Sequence, residues 1–299
     1  MSAVEVAEEV ALALRERRPV VALETSIVSQ GLPAPRNLET ALRCESEVRA
    51  NGAVPATIGM LGGRLKVGLS VEELERLADP AASVLKLSSR DIGPAMARGA
   101  DGATTVAATL RAASLTGIRF LATGGIGGVH RGRPEDESAD LFELTRAPVA
   151  VFCSGVKTIL DVPVTLERLE SLGVVVLGYG CDEFPAFYSA HSGRPVPARV
   201  EDAAGAARAL AASWATGSAG AVVAIPPPVD LLGAAGIVEQ ALTEEAHVQG
   251  PEATPALLAR VAELSGGRSV EVNVALVANN AAKASECAAA WSALEGEGD

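Results

Sequence analysis

A layered α/β domain with a largely parallel sheet is what this chain of 299 residues predicts, and three observations carry the prediction. Helical patterns and short apolar runs alternate from one end to the other. The apolar runs are of strand length and mostly free of polar residues, as strands buried on both faces must be. No linker breaks the alternation, so residues 1–299 read as a single domain. The weakest boundary, 192–200, has the same alternation on both sides.

The elements follow in order. Residues 4–18 read as an amphipathic helix, acidic early and carrying Arg15, Arg17 and Arg18 late, which suits the helix dipole. Residues 20–23 form a strand, and 38–51 a helix ended by Asn51-Gly52. The apolar run 55–60 precedes a turn at Gly62-Gly63. Ser70 and Glu73 fit a capping box opening a short helix, and 83–87 returns as a strand. An alanine-rich helix over 104–115 leads to strand 118–122, and 148–153 is another buried strand. Thr165 is expected to cap a helix that Gly173 ends before strand 174–177. A helix over 202–214 precedes strand 221–225, which Pro226-Pro227-Pro228 closes abruptly. Thr254-Pro255 opens a helix with proline at its first position, and 269–294 is a long terminal helix.

Composition narrows the function. A formal charge of −12 with no basic cluster argues against nucleic-acid polymers, and 3% aromatic residues leave few stacking platforms for single strands. The four cysteines, Cys44, Cys153, Cys181 and Cys287, are scattered without a CxxC pair, and no secretory h-region opens the chain. A reduced, cytoplasmic setting is the expectation. No uncharged apolar stretch of about 18 residues is available to span a membrane.

The chemistry concentrates in LATGGIGGVHRG, residues 121–132, and in the lysine of VFCSGVKTILD. The glycine run after a strand lets backbone N–H groups approach an anion or a sugar. Lys157 follows the next buried strand, at the carboxyl side where open α/β sheets place ligands. An amine among Phe152, Val156, Ile159 and Leu160 loses charge stabilisation and can attack a carbonyl to form an imine. The bland alternative is a surface lysine paired with Asp161. Glu24, directly after strand 20–23 and ahead of Thr25, Ser26 and Ser29, suits a general acid or base; otherwise it is a carboxylate at a helix start. Lys86 is a cation at a strand terminus fit for phosphate. His130 is a proton carrier, a phosphate donor or a histidine bonded to backbone. Thr104-Thr105 can bring donors to a phosphate at a helix start. Glu135, Asp136, Glu137 and Asp140 lie on a polar loop; such runs are mostly solvated faces, and a hard cation there would need water or substrate oxygens to complete its shell. GGIGG matches the dinucleotide fingerprint loosely, which weakens a nicotinamide-dependent reading.

Taken together, ALETSIVSQGLP, NGAVPATIGMLGGRLKVGL, KLSSRDIGPAMARGADGATTVAAT, ATGGIGGVHRG, ESADLFEL, VFCSGVKTILD, LGYGCDEFPAFY, AIPPP and NVALVANNAAKA span nearly the whole chain. Their order resembles the pseudouridine-5′-phosphate glycosidase family, also called indigoidine synthase A-like. The resemblance implies a three-layer α/β/α sandwich with a mainly parallel central sheet and a homotrimer. It implies reversible cleavage of the carbon–carbon glycosidic bond of pseudouridine 5′-phosphate to uracil and ribose 5-phosphate, with manganese (Mn2+). By position, Lys157 is the nucleophile forming an imine with ring-opened ribose and Glu24 the proton donor. Lys86, Val106 and the stretch Ser138, Ala139 and Asp140 fall on substrate-binding positions, Asp136 on the metal ligand, and His130 lies inside a family block as a further substrate-side residue. The rivals are a lysine-dependent aldolase on a sugar phosphate and a non-catalytic binding protein of the same fold.

Overall fold

The computed structural model describes residues 4–245, 248 and 253–296. Its main sheet has eleven strands among those residues. β1 (Val4–Val6), β4 (Arg64–Val67), β3 (Val54–Leu61), β2 (Val20–Leu23), β7 (Phe120–Ala122), β10 (Ala150–Cys153), β14 (Ala221–Ala224), β12 (Val175–Tyr179) and β13 (Ala198–Val200) lie side by side in that order. β6 (Gly102–Thr104) joins β3 and carries β5 (Leu85–Leu87). All pairings are parallel except β3 with β4 and β3 with β6. β2, β7, β10 and β14 are buried at every residue, which is why they read as plain apolar runs. This is the mainly parallel α/β architecture expected.

Helices cover the sheet. The long α11 (Arg268–Gly296) lies along β2, β7 and β10, flanked by α2 (Arg36–Ala50) and α8 (Ala203–Ala215). Elsewhere on the sheet, α5 (Val106–Thr116) packs on β1 to β4, β6 and β7 and is buttressed by α6 (Ala139–Leu144). α3 (Val71–Ala78) has the expected capping box, with Ser70 and Glu73 bonding reciprocally. Among the described residues no helix is long and apolar enough to cross a membrane.

Several boundaries differ from expectation for identifiable reasons. The opening segment splits: β1 pairs with β4 before α1 (Glu8–Arg15) begins, because Val4 and Val6 complete the sheet edge. Thr104 belongs to β6, and Thr105 caps α5 by accepting the Ala108 N–H. Asp161, rather than Thr165, caps α7 (Val162–Ser171), accepting the Val164 N–H, while Thr165 is buried inside the helix and bonds back to the Asp161 carbonyl. The acidic stretch is not a loop. β9 (Arg133–Glu137) pairs with β8 (Val129–His130), which in turn pairs with β11 (Leu160–Asp161), forming a small antiparallel annex. Three short helices went unread, α4 (Ile92–Ala97), α6 and α9 (Ala234–Glu244), the last alongside α10 (Ala253–Leu264).

Candidate active site

The chain turns one way from β2 to β3 and later returns to lay β7 on the other side of β2. Such a switch point leaves a crevice beyond the carboxyl ends of the strands. Glu24 stands there, immediately after β2, half-buried. Its two carboxylate oxygens accept from Ser26 Oγ and from Thr123 Oγ1, the latter immediately after β7. A carboxylate gripped by hydroxyls from two strand ends is fixed in orientation.

Lys157 sits four residues beyond β10, on the far side of β7 from Glu24, and is half-buried. β2 and β10, the strands that lead to the two residues, lie two strand spacings apart, roughly 10 Å. The Lys157 N–H donates to the Ile126 carbonyl at 3.2 Å, and its carbonyl accepts from Leu160 at 2.9 Å. Beyond it, Arg131 holds the loop from outside: Nη2 donates to the Thr158 carbonyl at 2.8 Å, Nε to the Leu160 carbonyl at 3.1 Å, and Nη1 to Glu239 on α9. Arg131 is one residue from His130 in a quoted block, but nothing in the sequence marked its guanidinium as a clamp on the lysine loop.

Asn280 on α11 was also unmarked. Fully buried, its Nδ2 donates to the Thr123 carbonyl at 2.9 Å and to Ser154 Oγ at 3.2 Å, locking the ends of β7 and β10 to the terminal helix. Its place in the NVALVANNAAKA block, among Leu276, Val277, Ala281 and Ala284 on the buried face of the helix, was the available signal.

The glycine run serves packing first. Gly124, Gly125, Gly127 and Gly128 all lack left-handed backbone, so conformation does not demand them. A Cβ on Gly127 would run into Ser138 Oγ, on Gly128 into Thr165 Oγ1, and on Gly125 would stand 2.6 Å from the Phe187 ring. The turn is narrow because Ser138, α7 and Phe187 close on it. Asp140, only 5% exposed, bridges two elements: Oδ1 accepts the Ala107 N–H of α5 and Oδ2 the Gly127 N–H, both at 2.8 Å. Its carboxylate therefore ties the helix start to the glycine turn. Ser138, half-buried, caps α6 beside Ala139, and Val106 is buried at the first position of α5. Thr104 is spent inside the core, its hydroxyl donating to the Ile58 carbonyl at 2.6 Å.

Lys86 on β5 is in register with Ala103 of β6 and is half-buried. It belongs to one electrostatic neighbourhood with His130, Arg133 and Asp136. Burial is the main influence on His130 and holds its pKa below the ordinary 6.5; Asp136 opposes that, while Arg133 and Lys86 reinforce it. Lys86, His130 and Arg133 thus gather cationic and donor capacity suited to a phosphate. Asp136, 42% exposed, pairs with Arg133 at 3.6 Å, and Glu137 with Arg168 at 2.8 Å. Among the described residues no three His, Cys, Asp or Glu side chains converge as a metal site. The side chains present do not fit a protein-built shell for a divalent cation.

The chain is similar to known proteins over nearly its whole length. The family model described as indigoidine synthase A-like protein matches residues 9–290. A pseudouridine-5′-phosphate glycosidase of Nocardioides sp. is 53% identical over 285 residues, covering 92% of each chain. One from Deinococcus radiodurans is 52% identical over 295 residues, covering 96% of this chain and 94% of its own. The crystal structure of the prealnumycin C-glycosynthase AlnA in complex with ribulose 5-phosphate superposes with a TM-score of 0.89 at 40% identity, over 98% of both chains.

Proposed function

This chain belongs to the indigoidine synthase A-like family, and on that premise we propose that it is a pseudouridine-5′-phosphate glycosidase, reversibly splitting its substrate into uracil and ribose 5-phosphate. The observation that carries the reading is the flanking of the β7 glycine turn by Glu24 on one strand end and Lys157 on another.

The leaving atom in this substrate is carbon, so protonating a heteroatom leaving group, the usual glycosidase device, is not enough. Glu24 delivers a proton to the ribose ring oxygen, the C1–O bond opens, and Lys157 Nζ bonds to C1. The nitrogen lone pair then forms C=N as the bond from C1 to uracil C5 breaks, and the electron pair passes to C5, which takes up a proton. Water hydrolyses the imine, freeing the lysine and ribose 5-phosphate. Lys86, with His130 and Arg133 beside it, holds the phosphate; the stretch from Ser138 to Asp140, with Val106 at the start of α5, shapes the sugar side. Manganese with Asp136 as its ligand remains a separate proposal resting on the resemblance, and no step above passes through it. A homotrimer in the cytoplasm is the assembly and setting that go with this reading, and light scattering at three times 30.4 kDa tests the assembly.

Mass spectrometry after borohydride reduction with ribose 5-phosphate tests the chemistry, alongside uracil-dependent formation of pseudouridine 5′-phosphate. We expect a reduced adduct on Lys157 and product. Lys157→Ala is expected to lose at least about 10³-fold in turnover while keeping its fold. An adduct without uracil coupling would instead favour an aldolase. The same assay after chelation, with and without added manganese, retires the metal proposal if activity is unchanged.

A further inference from the structure

The two products of this reaction differ sharply in charge, and the surroundings of the β7 turn divide the same way. On one side stand Lys86, His130 and Arg133. On the other, between the segment following Glu24 and helices α10 and α11, lies a cavity of about 330 Å³ with no charged residue in its lining. Leu32, Pro33, Leu258 and Val270 contribute apolar wall, and Tyr188 an aromatic ring. Burial pushes the Tyr188 hydroxyl up to about 12, so it stays neutral.

Two side-chain amides in this lining are incomplete. Asn273, 6% exposed, has a buried Oδ1 without a hydrogen-bond donor, and Gln30 has a buried Oε1 in the same condition. These are two of the three such side-chain atoms among the described residues, and both line this one cavity. An orphaned buried carbonyl is unfavourable until a donor arrives. The cavity also adjoins the reacting centre: a Cβ on Gly124 would stand 3.2 Å from Asn273 Oδ1, and Gly124 directly follows Thr123, which grips Glu24.

We propose that Gln30 and Asn273 form the nucleobase subsite, accepting ring N–H donors of a neutral, planar pyrimidine-dione while the charged sugar phosphate stays on the Lys86 side. A carboxamide pairs an acceptor with donors, which matches the adjacent N–H and C=O of an imide edge. Uracil offers two ring N–H groups and two carbonyls and no charge, so it suits amides among apolar walls and leaves no ion to be compensated. The inference rests on the glycosidase reading and adds the location of its base.

The test separates the two halves of the substrate. Asn273→Leu and Gln30→Met remove the polar atoms at similar volume, and Ala259→Trp, at an exposed lining position, fills the cavity. Each is expected to raise the KM for uracil about tenfold or more in the synthetic direction, since a lost hydrogen bond inside a dry pocket leaves its partner unpaired. Borohydride trapping of ribose 5-phosphate on Lys157 should proceed as in the wild type. Should all folded variants keep the wild-type uracil KM, the subsite assignment is wrong. Equal loss of sugar trapping would also overturn it, because the residues would then serve the whole site. A wild type giving neither adduct nor product sinks the glycosidase reading itself, and this inference with it.

Discussion

The main sheet and the small antiparallel annex hold the site between them, and they hold it by different means. Glu24 and Lys157 stand at the ends of parallel strands buried on both faces, where each position is set by several hydrogen bonds and a packed core. His130 and Asp136 stand on β8 and β9, strands of two and five residues whose side chains are largely polar and partly exposed. The difference teaches where chemistry and where binding belong: atoms that must meet within a fraction of an ångström sit on the rigid sheet. Groups that only supply charge tolerate a looser mount. Arg131 crosses that divide, since it leaves the annex to clamp the lysine loop.

Substitutions should reproduce the contrast. Glu24→Gln keeps the hydrogen-bonding shape but cannot deliver a proton, so turnover should fall by about 10²–10⁴-fold with little change in thermal midpoint. A variant retaining more than a tenth of wild-type turnover would move the proton donor elsewhere. Arg131→Ala frees the Thr158 and Leu160 carbonyls, and a displacement of about 1 Å in the Lys157 loop can cost on the order of 10²-fold. The loss should appear in kcat and in the rate of borohydride trapping more than in KM. Arg131→Lys, which cannot span two carbonyls with a planar fork, should recover only part of it. Equal trapping rates in all three proteins would reduce Arg131 to a surface contact.

The same divide explains what could be read from the chain. Strands β2, β7, β10 and β14 were legible because burial on both faces leaves a continuous apolar run. Glu24 was legible because it directly follows such a run, and Lys157 because it lies four residues past one. β9 was not: RPEDE carries no apolar alternation, and only its pairing with β8 makes it a strand. Asp161 displaced Thr165 as the cap of α7 because Thr165 is needed inside, where its Oγ1 accepts the Val129 N–H at 3.0 Å. The roles of Arg131, Asn280 and the Asp140 carboxylate are contacts over tens of residues, which no local pattern encodes. The glycines were seen, but their reason, close approach of Ser138, Thr165 and Phe187, lies in tertiary packing.

The smallest effect expected is at His130, and it tests the annex as a mount. Its pKa is held below 6.5 by burial first, with Asp136 on β9 pulling the other way and Arg133 and Lys86 adding to the depression. A base with a depressed folded pKa binds its proton more readily when unfolded. The unfolded state therefore carries more protons between the two values, and stability rises with pH across that window. On acidification the loss begins near 6.5, continues until the folded group titrates, and then stops. His130→Gln removes the titration, so its stability should fall less steeply than the wild type's below pH 6.5, while the two curves run parallel above pH 7.5. Denaturant midpoints at half-unit pH intervals resolve this. Parallel curves throughout would mean that His130 is as well solvated folded as unfolded, and that the annex imposes no burial on the residue it presents to the site.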